Sequence, residues 1–220
     1  MAADLGNTKS VAPETAEGGD ITDGEPTDIT DGRTLRRRRN RDAVIESLIG
    51  LINEGDLNPT IDKVAERAGV SARSIFRYFT DLNDLARTAV ETEMRRVLPM
   101  GMITDIGEGS FDERVESMIS ARIRVISSTW RLLRVARSKS TAIPEIDRGL
   151  GVIADMFHDQ FRRHFEPELS QLDAVEAEEL SLTLSMTIGY DVYDLKRRRF
   201  DKTDEEIADG WRVLLTRSLS

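Results

Sequence analysis

The chain has 220 residues, a net charge of −9 and 39% hydrophobic residues, which is enough apolar content for a packed core in one or two domains. It contains no cysteine, which excludes a disulfide scaffold, thiolate metal sites and a cysteine nucleophile. No stretch approaches the roughly 18 apolar residues that span a bilayer, and Met1 to Ser10 has no apolar signal core, so a cytoplasmic protein without membrane contact is expected.

The charge is unevenly spread. Residues 1–32 hold eight acids and one lysine, residues 33–98 hold thirteen arginines and lysines against ten acids, and residues 99–220 hold seventeen against twenty-two. Only the middle segment is basic. Salt screens exposed charges within about 8–10 Å, so local charge, not net charge, governs attraction to phosphate.

In chain order, residues 1–32 come first. They are rich in Gly, Thr, Asp, Pro and Glu and carry Asp-Ile-Thr-Asp-Gly twice, at 20–24 and 28–32. So little apolar surface cannot offset ordering entropy, and an acidic disordered tail is expected. It is either a solvated leader or a set of acids that competes with a polyanion for the neighbouring arginines.

From Arg33 onward the pattern is helical. Val44, Ile45, Leu48, Ile49 and Ile52 form an apolar stripe that Gly55 ends. A short helix follows over 61–68, Gly69 breaks it, and Ser71 caps another to about Phe79. A longer helix runs over 82–98 to Pro99, and residues 100–109 form a glycine-rich loop. Ser110-Phe-Asp-Glu113 is a capping box that opens a helix to about Ser138. Pro144 suits the first turn of the next helix, whose Ile146, Leu150, Ile153, Phe157, Phe161 and Phe165 share a face. Ser170 is expected to cap a run to about Arg199, and Thr203 to Glu206 to open the last helix through Trp211. No strand signal appears, so the fold class is all-α with about nine helices.

The stretch from Thr60 to Phe79 carries the functional signal. Two short helices cross at a helix-turn-helix angle only if their contact is small and their turn sharp. Ala65 supplies the small contact and Gly69 a residue that tolerates positive φ. Val64, Ala68, Val70, Ile75 and Phe79 then face the first helix. Ala72, Arg73, Ser74, Arg77 and Tyr78 are left on an outer face without an acid, as a helix entering the major groove requires.

Here the sequence resembles the TetR family of repressors. Val64-Ala65, Ala68-Gly69-Val70-Ser71, Ile75-Phe76, Tyr78-Phe79 and Leu85 fall at that family's signature spacing, within about 41–90. The resemblance implies a helix-turn-helix DNA-binding domain over 33–81, a linking helix over 82–98, and a ligand-binding and dimerisation domain over 99–220. It also implies a homodimer on a palindromic operator in double-stranded DNA, with repression relieved by an unidentified small molecule. Thr60 would cap the first motif helix and touch a phosphate, while Ala72, Arg73 and Arg77 would face base edges. Tyr78 takes the usual histidine position at the groove edge, and Lys63, Ser71 and Ser74 complete the expected interface. Two departures matter: Phe76 replaces a tyrosine and its hydroxyl, and Leu82 replaces a lysine. The amide end of the 82–98 helix would still be free to face a phosphate.

Arg36, Arg37, Arg38 and Arg39 stand at the expected start of the first helix, where cations oppose the helix dipole unless they find a partner. They read either as an arm reaching into the minor groove or as a solvated basic cluster. Further on, Leu180, Leu184, Ile188, Val192 and Leu195 form an apolar seam flanked by Ser181, Ser185 and Gly189. Ile207, Trp211, Leu214 and Leu215 form a face of the last helix. Together they are expected to build a four-helix dimer interface, with burial inside one chain as the alternative. Met118, Trp130, Met156, Phe157 and Phe161 are candidate lining for an apolar ligand pocket, with Arg122 and Tyr190 as polar anchors. The same residues also read as plain core.

No cofactor and no metal are expected, because His158 and His164 lie about 120° apart on a helix and no cysteine joins them. An enzyme is not expected either, since no nucleophile, base and phosphate loop come together. A helical adaptor for another protein is the remaining alternative, and it leaves the acid-free face unexplained.

Overall fold

A computed structural model describes residues 28–220, with side chains from Gly32 onward. Of the tail expected over 1–32, residues 1–27, with the first Asp-Ile-Thr-Asp-Gly copy, lie outside the described residues. Among those described there are ten α-helices and no strand. Two compact units are distinguished, one ending at Arg36 and the other covering Arg37–Ser220. Helix α1, Asp28–Asn53, begins five residues before the expected start, so the second pentapeptide copy is helical and not tail. Near its start Arg36 Nε donates to the Gly32 carbonyl at 3.2 Å.

In the Arg37–Ser220 unit, Val44, Ile45, Leu48, Ile49 and Ile52 are buried, as their spacing predicts. They pack with Val64 of α2 (Ile61–Ala68), Ile75 of α3 (Ala72–Tyr78) and Phe79 to close a three-helix head. Helix α4 (Leu82–Val97) buries Leu85, Ala89, Val90, Met94 and Val97 in that same cluster and ends in a one-turn 3-10 helix, Leu98–Gly101.

Helix α5 (Phe111–Ser140) is 30 residues, about 45 Å long. Its Ser110–Glu113 capping box forms as expected. Its second half, with Leu132, Val135 and Ala136, joins the head cluster, whereas Val115, Met118 and Ile119 belong to a second cluster. Helix α6 (Pro144–His164) divides likewise, Ile146 to the first cluster and Phe161 to the second. The two apolar cores therefore meet partway along α5 and α6, not at Pro99.

The second cluster is completed by α7 (Glu166–Leu169), α8 (Ala174–Thr187), α9 (Tyr190–Arg199) and α10 (Asp204–Leu219). Ser170 does not cap the helix expected after it. Asp173 does, accepting from the Val175 and Glu176 amides at 2.9 and 3.0 Å, and a carboxylate there also suits the helix dipole. The expected single run to Arg199 is broken at Ile188–Gly189. A Cβ at Gly189 would lie 2.9 Å from the Met186 carbonyl oxygen, so the break depends on a missing side chain. Gly189→Ala is expected to lower stability by about 1–3 kcal/mol. Urea unfolding should show this as a shifted midpoint at unchanged slope.

His164 ties the 102–109 loop to α5. The Gly107 amide donates to Nδ1 at 3.1 Å, which places the proton on Nε2, 3.0 Å from the Arg114 carbonyl. Burial, the largest influence, pushes the imidazolium below its ordinary value of 6.5. Between that lowered value and 6.5 the unfolded chain binds more protons than the folded one. Stability due to His164 is therefore complete above 6.5 and falls as pH drops, levelling off below the folded value. Its share of the slope is at most about 1.4 kcal/mol per pH unit. His164→Asn, which keeps an acceptor near Nδ1, is expected to flatten the dependence of melting temperature between about pH 7.5 and 5. An equal slope in both proteins would assign the effect elsewhere.

Candidate nucleic-acid interface

The head's geometry follows from its caps. Thr60 Oγ1 accepts from the Lys63 amide at 3.4 Å and starts α2. Gly69 ends it in the left-handed region, φ 65° and ψ 32°, where a Cβ is strained. Ser71 Oγ accepts from the Ser74 amide at 3.2 Å and starts α3. Ile75 and Phe79 turn inward, so Arg73, Phe76 and Arg77 are exposed and Ala72, Ser74 and Tyr78 half-buried. Phe76 is 54% exposed, a large apolar ring held out on a charged face. Helix α3 contains no acid.

Helix α1 adds residues to this surface. Arg77 Nη2 donates to Tyr78 Oη at 3.1 Å and Asn40 Nδ2 donates to the same atom at 3.5 Å. The Arg77 bond, with help from Asn40 and the charge of Arg37, holds the phenol below its usual range. Arg37 and Asn40 therefore stand beside the recognition helix. Nothing in the sequence pointed to Asn40, 38 positions from its partner. Arg37, Arg38 and Arg39 are exposed and helical. They do not form an extended arm at a helix start, because α1 already begins at Asp28.

Two expectations change. Lys63 Nζ is engaged with Asp56 Oδ2 at 2.7 Å, so part of its charge is met within the head. The amide end of α4 is partly met within the head. Asp81 Oδ1 accepts from the Asp84 amide at 2.9 Å and Asp84 Oδ2 from the Thr80 amide at 3.0 Å. Two carboxylates at that end oppose an approaching anion. The Leu82 side chain beside them is 47% exposed.

The expected dimer seam is corrected more deeply. Leu184, Ile188, Ile207, Trp211 and Leu215 are buried within the single chain, in the second cluster. They face α5 and α6, because α8 and α10 each need an apolar side to hold them on the body. Leu180, Ser185, Gly189, Val192 and Leu214 are half-buried. Of the expected seam Leu195 is 50% exposed, and the other uncovered apolar side chains nearby are Val175 (73% exposed), Leu182 and Met186 (65%) on α8, and Val213 (53%) on α10.

Of the expected pocket residues, Met118 and Phe161 are fully buried core. Trp130 Nε1 donates to Asp194 Oδ1 at 2.7 Å. Burial pushes the Tyr190 phenol up. Met156 and Phe157 are half-buried, and Arg122 is enclosed. A cleft of about 500 Å³ follows the 102–109 loop, lined by Met102, Asp105, Glu108, Ser117 and Arg124 among others, and none of the expected pocket residues lines it.

Residues 45–89 match the sequence model described as bacterial regulatory proteins, tetR family. The fold is similar to that of a transcriptional regulator from Rhodococcus sp. Rha1, with TM-score 0.62, 14% identity and coverage of 83% of this chain and 95% of that one. It is also similar to the fatty acid degradation regulator FadR from Bacillus halodurans (0.61, 16%, 82% and 95%). A TetR-like transcriptional regulator from Rhodococcus sp. RHA1 gives 0.54, 14%, 85% and 97%. Comparison with curated proteins finds no match. The class that the head and fold support is a DNA-binding transcription regulator. Residues 45–89, the head, thus carry the helix-turn-helix that this family model describes. No helix among the described residues is long and apolar enough to cross a membrane.

Proposed function

We propose that this regulator is a cytoplasmic repressor that binds a palindromic operator as a homodimer and is released by a small molecule. The observation that carries the reading is the outer face of α3, exposed, basic and free of acids. Arg73 and Arg77 present forks suited to guanine O6 and N7, and Ala72 and Phe76 suit contact with thymine methyl groups. Thr60, Ser71, Ser74 and Tyr78 offer polar groups to phosphates at the groove edges, with Lys63 and Arg36–Arg39 supplying charge.

A single seven-residue helix reads few bases, and two-fold symmetry doubles the site. The exposed Val175, Leu182, Met186 and Val213, flanked by half-buried Leu180, Ser185, Val192 and Leu214, suit a second copy of the same faces. The signal would travel along α4, whose side chains belong to the head core at one end and reach Gly101 at the other. An apolar cavity of about 50 Å³, lined by Ile52 and Val64 of the head, Ala86 and Ala89 of α4 and Leu132 of α5, leaves room for a small tilt. A ligand preferring one tilt would shift the spacing of the paired α3 helices away from the DNA repeat.

Selection of bound sequences from random duplex DNA tests the reading, with a two-fold symmetric consensus as the expected result. Absence of any sequence preference would overturn it. On the selected site, replacing Arg36–Arg39 with alanine is expected to reduce the slope of log K against log salt by up to about 3.6 per protomer, about 0.9 for each phosphate touched. An unchanged slope would remove these arginines from the interface.

A further inference from the structure

Where the two apolar cores meet, α5 buries a charge. Arg122 is 1% exposed, between Ile119 of the second cluster and Val125 of the first. Its Nη1 donates to Gln160 Oε1 and its Nη2 to the Phe157 carbonyl, both at 2.8 Å. Both acceptors are neutral. Among the described residues no carboxylate forms an ion pair with this guanidinium. Enclosing a guanidinium among neutral groups is costly, and a core rarely keeps such a group without a use for it. Burial draws Arg122 down to about 9, which leaves it protonated at neutral pH.

The surroundings indicate what would approach. The Phe157 ring lies over the guanidinium, 4.0 Å from its carbon, and is itself only half-buried. One face of Arg122 is therefore separated from the surface of α6 by a side chain that can turn away. Gln160, also 1% exposed, passes the contact on: its Nε2 donates to the Gly101 carbonyl at 3.0 Å. Gly101 closes the 3-10 turn that ends α4, and a Cβ there would press on Val125 and Phe157, so this joint is tightly packed.

We infer that Arg122 is the anion anchor of the effector site, and that the effector is an organic carboxylate with a flat or apolar body. The inference rests on the ligand-responsive reading above. The carboxylate forks onto Arg122, its apolar body takes the place of the Phe157 ring, and Gln160 loses its hold on Nη1. The link from α5 through Gln160 to Gly101 then loosens, and α4 is free to change its tilt. Carboxylate affinity and release of the head thus run through one pair of residues.

The test uses the full chain with benzoate, phenylacetate and 4-phenylbutyrate, each beside its neutral amide, followed by thermal shift and calorimetric titration. At least one acid is expected to bind and raise the melting temperature while its amide does not. Arg122→Met should weaken that acid at least about tenfold, since a charged hydrogen-bonded pair is lost. Phe157→Ala, which uncovers the guanidinium, should bind the acid more tightly than the native chain and remains informative if Arg122→Met fails to fold. Gln160→Leu, which removes that link outright, should bind the acid but hold DNA more weakly from the start, with no further loss when the acid is added. The inference is overturned if none of the acids binds, if acid and amide bind alike, or if Arg122→Met and Phe157→Ala leave binding and selectivity unchanged. Retention of the ligand-free protein on DNA, measured alongside, separates the two readings: its loss condemns the regulator, whereas intact retention with no carboxylate effect condemns only this site.

Discussion

Replacing Arg73 and Arg77 together with alanine should lower specific DNA affinity between about thirtyfold and about twenty-thousandfold per half-site. Each bidentate arginine–guanine pair discriminates by about 1–3 kcal/mol, and the two residues are one helical turn apart on α3. Both are exposed, so the melting temperature should stay within the range of an ordinary surface change. Arg77 also donates to Tyr78 Oη, so its loss frees a phenol at the groove edge. Arg73→Ala alone therefore separates base reading from this local rearrangement. Electrophoretic mobility or fluorescence anisotropy on the selected site, with a scrambled duplex as control, provides the comparison. Equal weakening on both duplexes would mean that the arginines touch phosphates only.

The second large effect lies at the other end of the chain, where neighbouring positions of α10 should have opposite fates. Trp211 is fully buried against Tyr193, with ring centroids 6.4 Å apart. Trp211→Ala should cost about 3–5 kcal/mol, a large part of the roughly 5–15 kcal/mol that holds a domain folded. Val213, two residues on, points away from the core, as does Met186 of α8. Changing both to glutamate should leave the helical signal intact and convert a dimer to a monomer, because two like charges then face their copies across the two-fold axis. Sedimentation together with circular dichroism distinguishes the outcomes. A native chain that is monomeric at micromolar concentration, or a double variant that still dimerises, would dismiss this face as the interface.

Helix boundaries were legible wherever a cap or breaker announces them. Gly69, Ser71, Ser110 with Glu113, Pro144 and Thr203 with Glu206 each act through atoms within four residues, and each stands where its chemistry predicts. The outer face of α3 was legible for the same reason, since seven residues with a buried Ile75 leave only one way to distribute the remaining side chains. Ser170 was misread because Asp173, three residues later, is an equally good cap, and local chemistry does not rank the two.

The dimer seam was misread for a different reason. A helix that is apolar on more than one side shows periodicity without saying which side meets its own chain. Leu184, Ile188 and Trp211 satisfy the spacing of an interface and of a core equally well, and their burial is decided by α6 lying beneath α8 and α5 beneath α10.

Composition, local spacing and capping chemistry thus determined the all-α class, the turn at Gly69 and the basic recognition face, because each depends on interactions a few residues long. The tertiary structure alone decided the placement of Asn40 beside Tyr78, the two aspartates at the amide end of α4, and the enclosure of Arg122 between two cores. Those depend on helices dozens of residues apart coming within hydrogen-bonding distance, and periodicity along one helix carries no information about what another presents to it.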